Sequence, residues 1–379
     1  MRIAISTGGG DAPGLNAVIR AVVLSASARG WECFGILRGF DSLMARGDRD
    51  RAGTWAGDDR RRIAFPHGLM PLGSQEVRGI THLGGTILGS SNRGNPFRWP
   101  VPGPDGMMVE TDRSDELIAV FREAGIDALV TIGGDGSLGI ANDLARKGLP
   151  VVGVPKTIDN DVYGTEVTFG FDTAVATATD AIDKLHSTAE SHDRVMVVEL
   201  MGRYAGWIAL YSGVSGSADV ILIPEIPFDM ERVCDKILER EARGRRFSIV
   251  VVAEGARPRG GERVLLDTAG VGTVERLGGI AAAVADAITR RTGKETRSLV
   301  LGHLQRGGSP SAADRLLALR FGAAAVGAIA EGAFGSVVVY ESDRVHRRPL
   351  ADLVGKQRLV PPDHGVIQTA RSLGISLGD

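Results

Sequence analysis

Cysteine is nearly absent from this 379-residue chain. Cys33 and Cys234 cannot build a disulfide framework and have no metal-ligand spacing, so both thiols are expected to stay free in a reducing compartment. An excess of charge of one sign is also missing. The formal net charge of −2 gives no general attraction to nucleic acid or to a membrane surface, so any cationic site must be local. Long apolar runs are missing too. No stretch of about 20 residues is free of charge, which argues against a membrane-spanning helix. Residues 1–7 read as a strand running straight into a glycine loop rather than as a signal peptide, so a cytoplasmic location is expected. Repeats of fixed period are not visible.

Glycine is what the chain has in plenty. Its 52 glycines are about twice the usual share, and many sit in short clusters between apolar runs, where backbone turns tightly or approaches a ligand. The length predicts two domains. Apolar runs at 3–6, 127–134, 149–155, 194–200, 219–225 and 247–255 alternate with helix-period segments such as NAVIRAVVLSASARG and SLGIANDLARKG. That alternation predicts an α/β fold with mainly parallel sheets and ligands at the carboxyl ends of strands. Residues 46–62 read as a surface loop or short hairpin. Residues 92–113, with four prolines, read as an irregular excursion.

Four constellations bear on chemistry. TGGGDAPGLN at 7–16 is strand, glycine turn and helix start, suited to a phosphate or to a plain tight turn; it lacks the GK[ST] of a Walker loop. IGGDGS at 132–137 sets Asp135 between glycines at a strand end, where a carboxylate serves a Mg²⁺ ion on phosphates or an ordinary Asp-Gly turn. PKTIDND at 155–161 carries Asp159 and Asp161 two apart in a non-helical segment, suited to a general base with an anchor or to turn chemistry. Arg194, Arg203, Arg297, His303 and Arg306 stand beside strands, suited to a phosphate dianion or to surface ion pairs.

GGGDAPGLN, GGDGS, PKTIDND, MGRYAG and LGHLQRGGSP occur in the order found in 6-phosphofructokinases, and the chain resembles that family from about residue 2 to about residue 335. The resemblance implies two similar α/β domains with mainly parallel sheets flanked by helices. It implies a nucleotide and Mg²⁺ domain at 1–170 and 305–355, and a fructose 6-phosphate domain at 171–304 and 356–379. It implies phosphorylation of the 1-hydroxyl of fructose 6-phosphate by MgATP, with Asp159 as general base and Thr157, Gly10 and Arg203 beside it. Gly10, Arg93, Gly134, Asp135, Gly136 and Ser137 would bind ATP, with Asp135 on Mg²⁺. Thr157, Ile158, Asp159, Met201, Gly202, Arg203, Glu254, His303, Leu304, Gln305 and Arg306 would bind the sugar phosphate. Arg194 and Arg297 would reach the 6-phosphate of a neighbouring subunit in a dimer or tetramer.

The donor is marked in two opposite ways. By the resemblance, Lys156 is usual in pyrophosphate-using relatives and Gly136 in ATP users, while Ile140 stands where good ATP binders can have glycine. Pyrophosphate-dependent transfer is therefore the alternative, and a non-catalytic sensor a remote one. Arg93 is displaced by one residue from the family's donor-clamping arginine. Of the basic cluster that binds regulatory nucleotides in bacterial relatives, Arg20, Arg243 and Arg245 have counterparts, whereas Leu24 and His186 replace cations.

Overall fold

The computed structural model describes residues 1–44, 68–91, 94–267 and 275–379. The expected loop at 46–62 and Arg93 lie outside the described residues. The chain begins with β1 (Arg2–Thr7), α1 (Leu15–Ser27), β2 (Glu32–Ile36), α2 (Asp41–Met44) and β3 (Leu69–Leu72). There follow β4 (Trp99–Pro102), β5 (Met108–Thr111), α3 (Ser114–Glu123), β6 (Ala128–Gly133), α4 (Asp135–Arg146) and β7 (Val151–Pro155). The middle of the chain forms α5 (Phe171–Ser191), β8 (Val195–Leu200), α6 (Trp207–Ser215), β9 (Val220–Leu222), α7 (Met230–Ala242) and β10 (Ser248–Ala253). Next come β11 (Leu265–Asp267), β12 (Arg276–Leu277), α8 (Ile280–Thr292) and β13 (Thr296–Val300). The chain ends with α9 (Ala312–Ala330), β14 (Ser336–Glu341), β15 (Arg344–Pro349), α10 (Leu350–Leu353) and α11 (Gly365–Ser372).

Two sheets organise these elements. The first has the order β15-β14-β7-β6-β1-β2-β3 and is parallel except at its edges, where β15 and β3 pair antiparallel. The second has the order β13-β8-β10-β9 and is parallel throughout. Central strands β6, β7 and β10 are buried along their whole length because helices cover both faces, which is why they read as unbroken apolar runs rather than as alternation. Helices α1 and α9 fill one face of the first sheet, and α3, α4 and α10 the other. On the second sheet α5, α6 and α11 cover one face, α7 and α8 the other.

The chain passes to the second sheet through α5, returns through the 3₁₀ turn Gly302–Arg306 into α9, and lays its last helix, α11, back on the second sheet's core. Among the described residues no helix is long and apolar enough to cross a membrane. One expectation is corrected: residues 94–113 are not irregular but hold a 3₁₀ turn and the antiparallel ribbon β4–β5. Pro100 and Pro102 share one phase of the alternation, so a single outer edge of the ribbon absorbs both missing N–H donors.

Candidate active site

β1, β6 and β7 lie side by side and parallel, so the loops at their carboxyl ends emerge together. Backbone bonds stitch them: Gly8 N–H donates to the Ile132 carbonyl at 3.0 Å, and Lys156 N–H to the Gly133 carbonyl at 2.9 Å. The three sequence motifs are thereby one surface. Gly10 needs its missing side chain, since a Cβ there would lie 2.8 Å from Nη1 of Arg306, almost three hundred residues away in sequence. Ser137 faces Gly8, where a Cβ would meet its Oγ at 2.6 Å. Gly134 approaches the Lys156 carbonyl, whereas a Cβ on Gly136 would meet nothing within 4 Å among the described residues. Ile140 lines a small cleft beside this loop with Thr7, Gly8, Phe40, Ser91 and Ser137.

Asp135 opens α4, where the helix N-terminus favours negative charge. Burial nevertheless pushes its carboxyl up from the ordinary range, against the pull of the Arg203 charge and the Gly355 N–H. Among the described residues no three His, Cys, Asp or Glu side chains converge as a metal cage. A single half-buried carboxylate at a phosphate-type loop fits a hard cation that keeps water and phosphate oxygens as its other ligands.

The loop after β7 is buried as a unit. Thr157 Oγ1 accepts the Asp159 N–H at 3.0 Å, the Thr168 hydroxyl donates to the Thr157 carbonyl at 2.8 Å, and Asn160 takes a left-handed φ of 54°. Ile158 points into the second sheet's core, so only its backbone faces the loop surface. Asp159 is 7% exposed, and among the described residues its Oδ1 has no hydrogen-bond partner. Burial pushes its pKa up, opposed by Arg306, Lys156, Arg203 and the Thr157 hydroxyl. Asp161 is pushed up to about 7 by burial and then by the Asp159 charge. Lys156 donates from Nζ to the Gly10 carbonyl and is lowered to about 8 by burial and by Arg306.

The second sheet presents its own strand ends to this surface. Gly202, with φ 144°, and Arg203, with φ 52°, make a turn after β8 that a side chain at 202 would block, because a Cβ would lie 2.4 Å from the Ala205 carbonyl. Glu254, just after β10, holds that turn by accepting the Arg203 N–H at 2.9 Å and the Gly202 N–H at 3.3 Å. Burial raises Glu254 to about 7. Arg203 lies over the Tyr204 ring at 5.0 Å, and its charge acts on both Asp135 and Asp159. Arg306 donates to the Asp11 carbonyl at 3.0 Å.

Gly10, Asp135, Lys156, Thr157, Asp159, Arg203, Glu254 and Arg306 therefore come together. Other expected residues stand differently. Met201 packs on the second sheet's core. Gln305 is fully buried and donates to the Gly302 carbonyl at 3.1 Å, while His303 and Leu304 are exposed. Arg194 and Arg297 both pair with Glu295 beside the outer strand β13. Arg20 is held by the Val77 carbonyl, Arg243 pairs with Glu239, and His186 bonds the Gly216 carbonyl. Two residues that no motif signalled also touch the cluster. They are Gly355, at Asp135, and Arg358, which donates to the Asn160 carbonyl at 3.1 Å.

A family model described as phosphofructokinase matches residues 2–329. The chain is 50% identical over 378 residues to an ATP-dependent 6-phosphofructokinase of Chloroflexus aggregans, covering 100% of this chain and 98% of that one. It is 48% identical over 366 residues to a pyrophosphate–fructose 6-phosphate 1-phosphotransferase of Amycolatopsis methanolica, covering 96% and 97%. Among solved structures, phosphofructokinase from Saccharomyces cerevisiae superposes with a TM-score of 0.74 at 30% identity. That match covers 93% of this chain and 44% of the yeast chain. The chain belongs to the phosphofructokinase family.

Proposed function

We propose that the protein transfers the γ-phosphoryl group of ATP to the 1-hydroxyl of fructose 6-phosphate. The observation that carries this reading is the Asp159 carboxylate, buried where the ends of the two sheets meet, with an oxygen lacking any partner and with three cations facing it. A desolvated carboxylate with one oxygen left unpaired is costly to the fold, and such costs are found where a group serves function. Asp159 takes the proton of the sugar hydroxyl as that oxygen attacks phosphorus. The bond from phosphorus to the bridging oxygen then breaks, and ADP leaves with the electron pair. The backbone of the Gly8–Gly10 and Gly134–Ser137 turns cradles the polyphosphate, and Arg203 and Arg306 orient the sugar phosphate and offset charge. Asp135 would hold Mg²⁺, which supplies charge neutralisation on the phosphates when bound.

In this reading the first sheet's body, 1–170 and 305–355, takes the nucleotide, and the second, 171–304 and 356–379, takes the sugar phosphate. Arg194 and Arg297, at an outer edge and each paired with Glu295, would serve a neighbour's site in a homo-oligomer. The donor assignment rests on Gly136: the open space around it leaves room for an α-phosphate, where an acidic side chain would obstruct and repel one. Buried Lys156 at the Gly10 carbonyl favours the second reading, pyrophosphate as donor. Steady-state kinetics of the purified protein with ATP and with pyrophosphate, each with Mg²⁺ and fructose 6-phosphate, decide between them. Faster turnover with pyrophosphate would reverse the donor assignment, and no turnover with either would reject the kinase reading.

A further inference from the structure

The segment 355–360 lies beyond the span 2–329 that the family model matches, yet it runs between the two halves of the site. Gln357 bridges Val162 antiparallel, and the Arg358 N–H donates to the Asp161 carbonyl at 2.8 Å. The Arg358 guanidinium donates from Nη1 to the Asn160 carbonyl at 3.1 Å, so it grips the left-handed residue that follows Asp159. Its Cζ lies over the Trp207 ring, 3.9 Å from the centroid, and the Trp207 indole N–H donates to the Arg358 carbonyl at 2.9 Å. Trp207 is 1% exposed and opens α6, four residues after Arg203. Glu225 closes the strap by accepting the Val360 N–H at 2.9 Å and the Gly206 N–H at 3.0 Å.

Each connection has a physical consequence. The carbonyls of Asn160 and Asp161 are buried with their loop and have no strand partner in either large sheet, so the strap supplies donors that the fold leaves missing. Arginine suits this place because one planar group can donate at its edge and stack on indole with its face. The residue bound on one side, Asn160, directly follows Asp159, and the residue bound on the other, Trp207, begins the helix that follows the Arg203 turn. The strap therefore spans the gap between the base and the substrate cation.

We propose that Arg358 is a positioning residue for phosphoryl transfer, setting the separation of the Asp159 carboxylate from the Arg203 turn by clasping Asn160 and Trp207 at once. The inference rests on the kinase reading above for its kinetic consequence, but its geometric part is independent of it. Arg358→Met keeps a long stem and loses the donors. We expect it to lower kcat by about 10-fold or more while changing the KM for nucleotide by less than about 3-fold, as a base displaced by a fraction of an ångström would. Arg358→Lys, which keeps a donor but not the planar stack, should recover part of the loss. Amide hydrogen exchange should show faster exchange at 157–162 in the Met variant, with the first sheet's strands unchanged.

A folded Met variant with wild-type kcat, or with exchange at 157–162 unaltered, overturns the inference. Should that variant not fold, Trp207→Phe removes the indole donor and keeps an aromatic ring beside Arg358, at the cost of a small cavity. The expected result is lower kcat with faster exchange at the same amides, and unchanged values of both overturn the inference. If the wild-type protein itself shows no turnover, the kinase reading has failed, and the exchange comparison alone decides whether Arg358 holds the loop.

Discussion

Asp159→Asn separates chemistry from stability. The substitution keeps the shape of the side chain and removes its charge and basicity. Loss of a general base lowers kcat by about 10²–10⁴, or roughly 2.7–5.4 kcal/mol in barrier. Stability should move the other way. The Asp159 pKa in the folded protein is raised, with burial as the largest cause. A group raised in this way contributes stability that is fully present below its unfolded pKa, about 3.9, and is lost as pH rises through the folded value. Above the unfolded pKa the raised folded value costs the wild type stability, and the Asn variant, with no charge to desolvate, is spared that cost. We expect the variant to unfold at the same or a higher Tm at pH 8, with its advantage shrinking as pH falls toward 4. A coupled assay for ADP release and thermal unfolding across that pH range measure both effects. A variant retaining kcat within about threefold refutes Asp159 as the base. A large loss of Tm at pH 8 refutes the claim that the carboxylate sits there at the expense of stability.

Gly136→Asp should lower kcat/KM for ATP severely and for pyrophosphate much less; since a Cβ meets nothing within 4 Å there, the protein should keep its Tm, and equal losses for both donors would undo the steric argument. Lys156 is lowered to about 8, so the folded state sheds its proton before the unfolded chain does. Wild-type stability should therefore gain on that of Lys156→Met as pH rises from about 8 toward 10.4, and parallel pH curves would count against a desolvated lysine. Mixing inactive Asp159→Asn with inactive Arg194→Ala under subunit exchange should restore partial activity if sites are shared, whereas a fully active monomer in sedimentation would exclude sharing.

What the sequence determined by itself is local. Unbroken apolar runs between glycine turns become strands covered on both faces, and the runs ending at Thr7, Gly133 and Pro155 deliver the three loops expected to carry chemistry. Those signals are short-range: a period, a turn residue, a carboxylate beside a glycine. Even so, local reading failed at 94–113, where proline suggested irregularity and a ribbon edge accommodated it. The tertiary structure decided everything that depends on which distant atoms meet. It put Arg306 against Gly10 and buried Lys156, Asp159 and Asp161 together, so that their pKa values part from those of free side chains. It turned Gln305 inward and left Leu304 in solvent. It also brought Gly355 and Arg358 to the two acidic loops from a tail with no motif of its own. Desolvation and cross-chain contact are properties of packing, and no residue carries them in its own identity or in that of its neighbours in sequence.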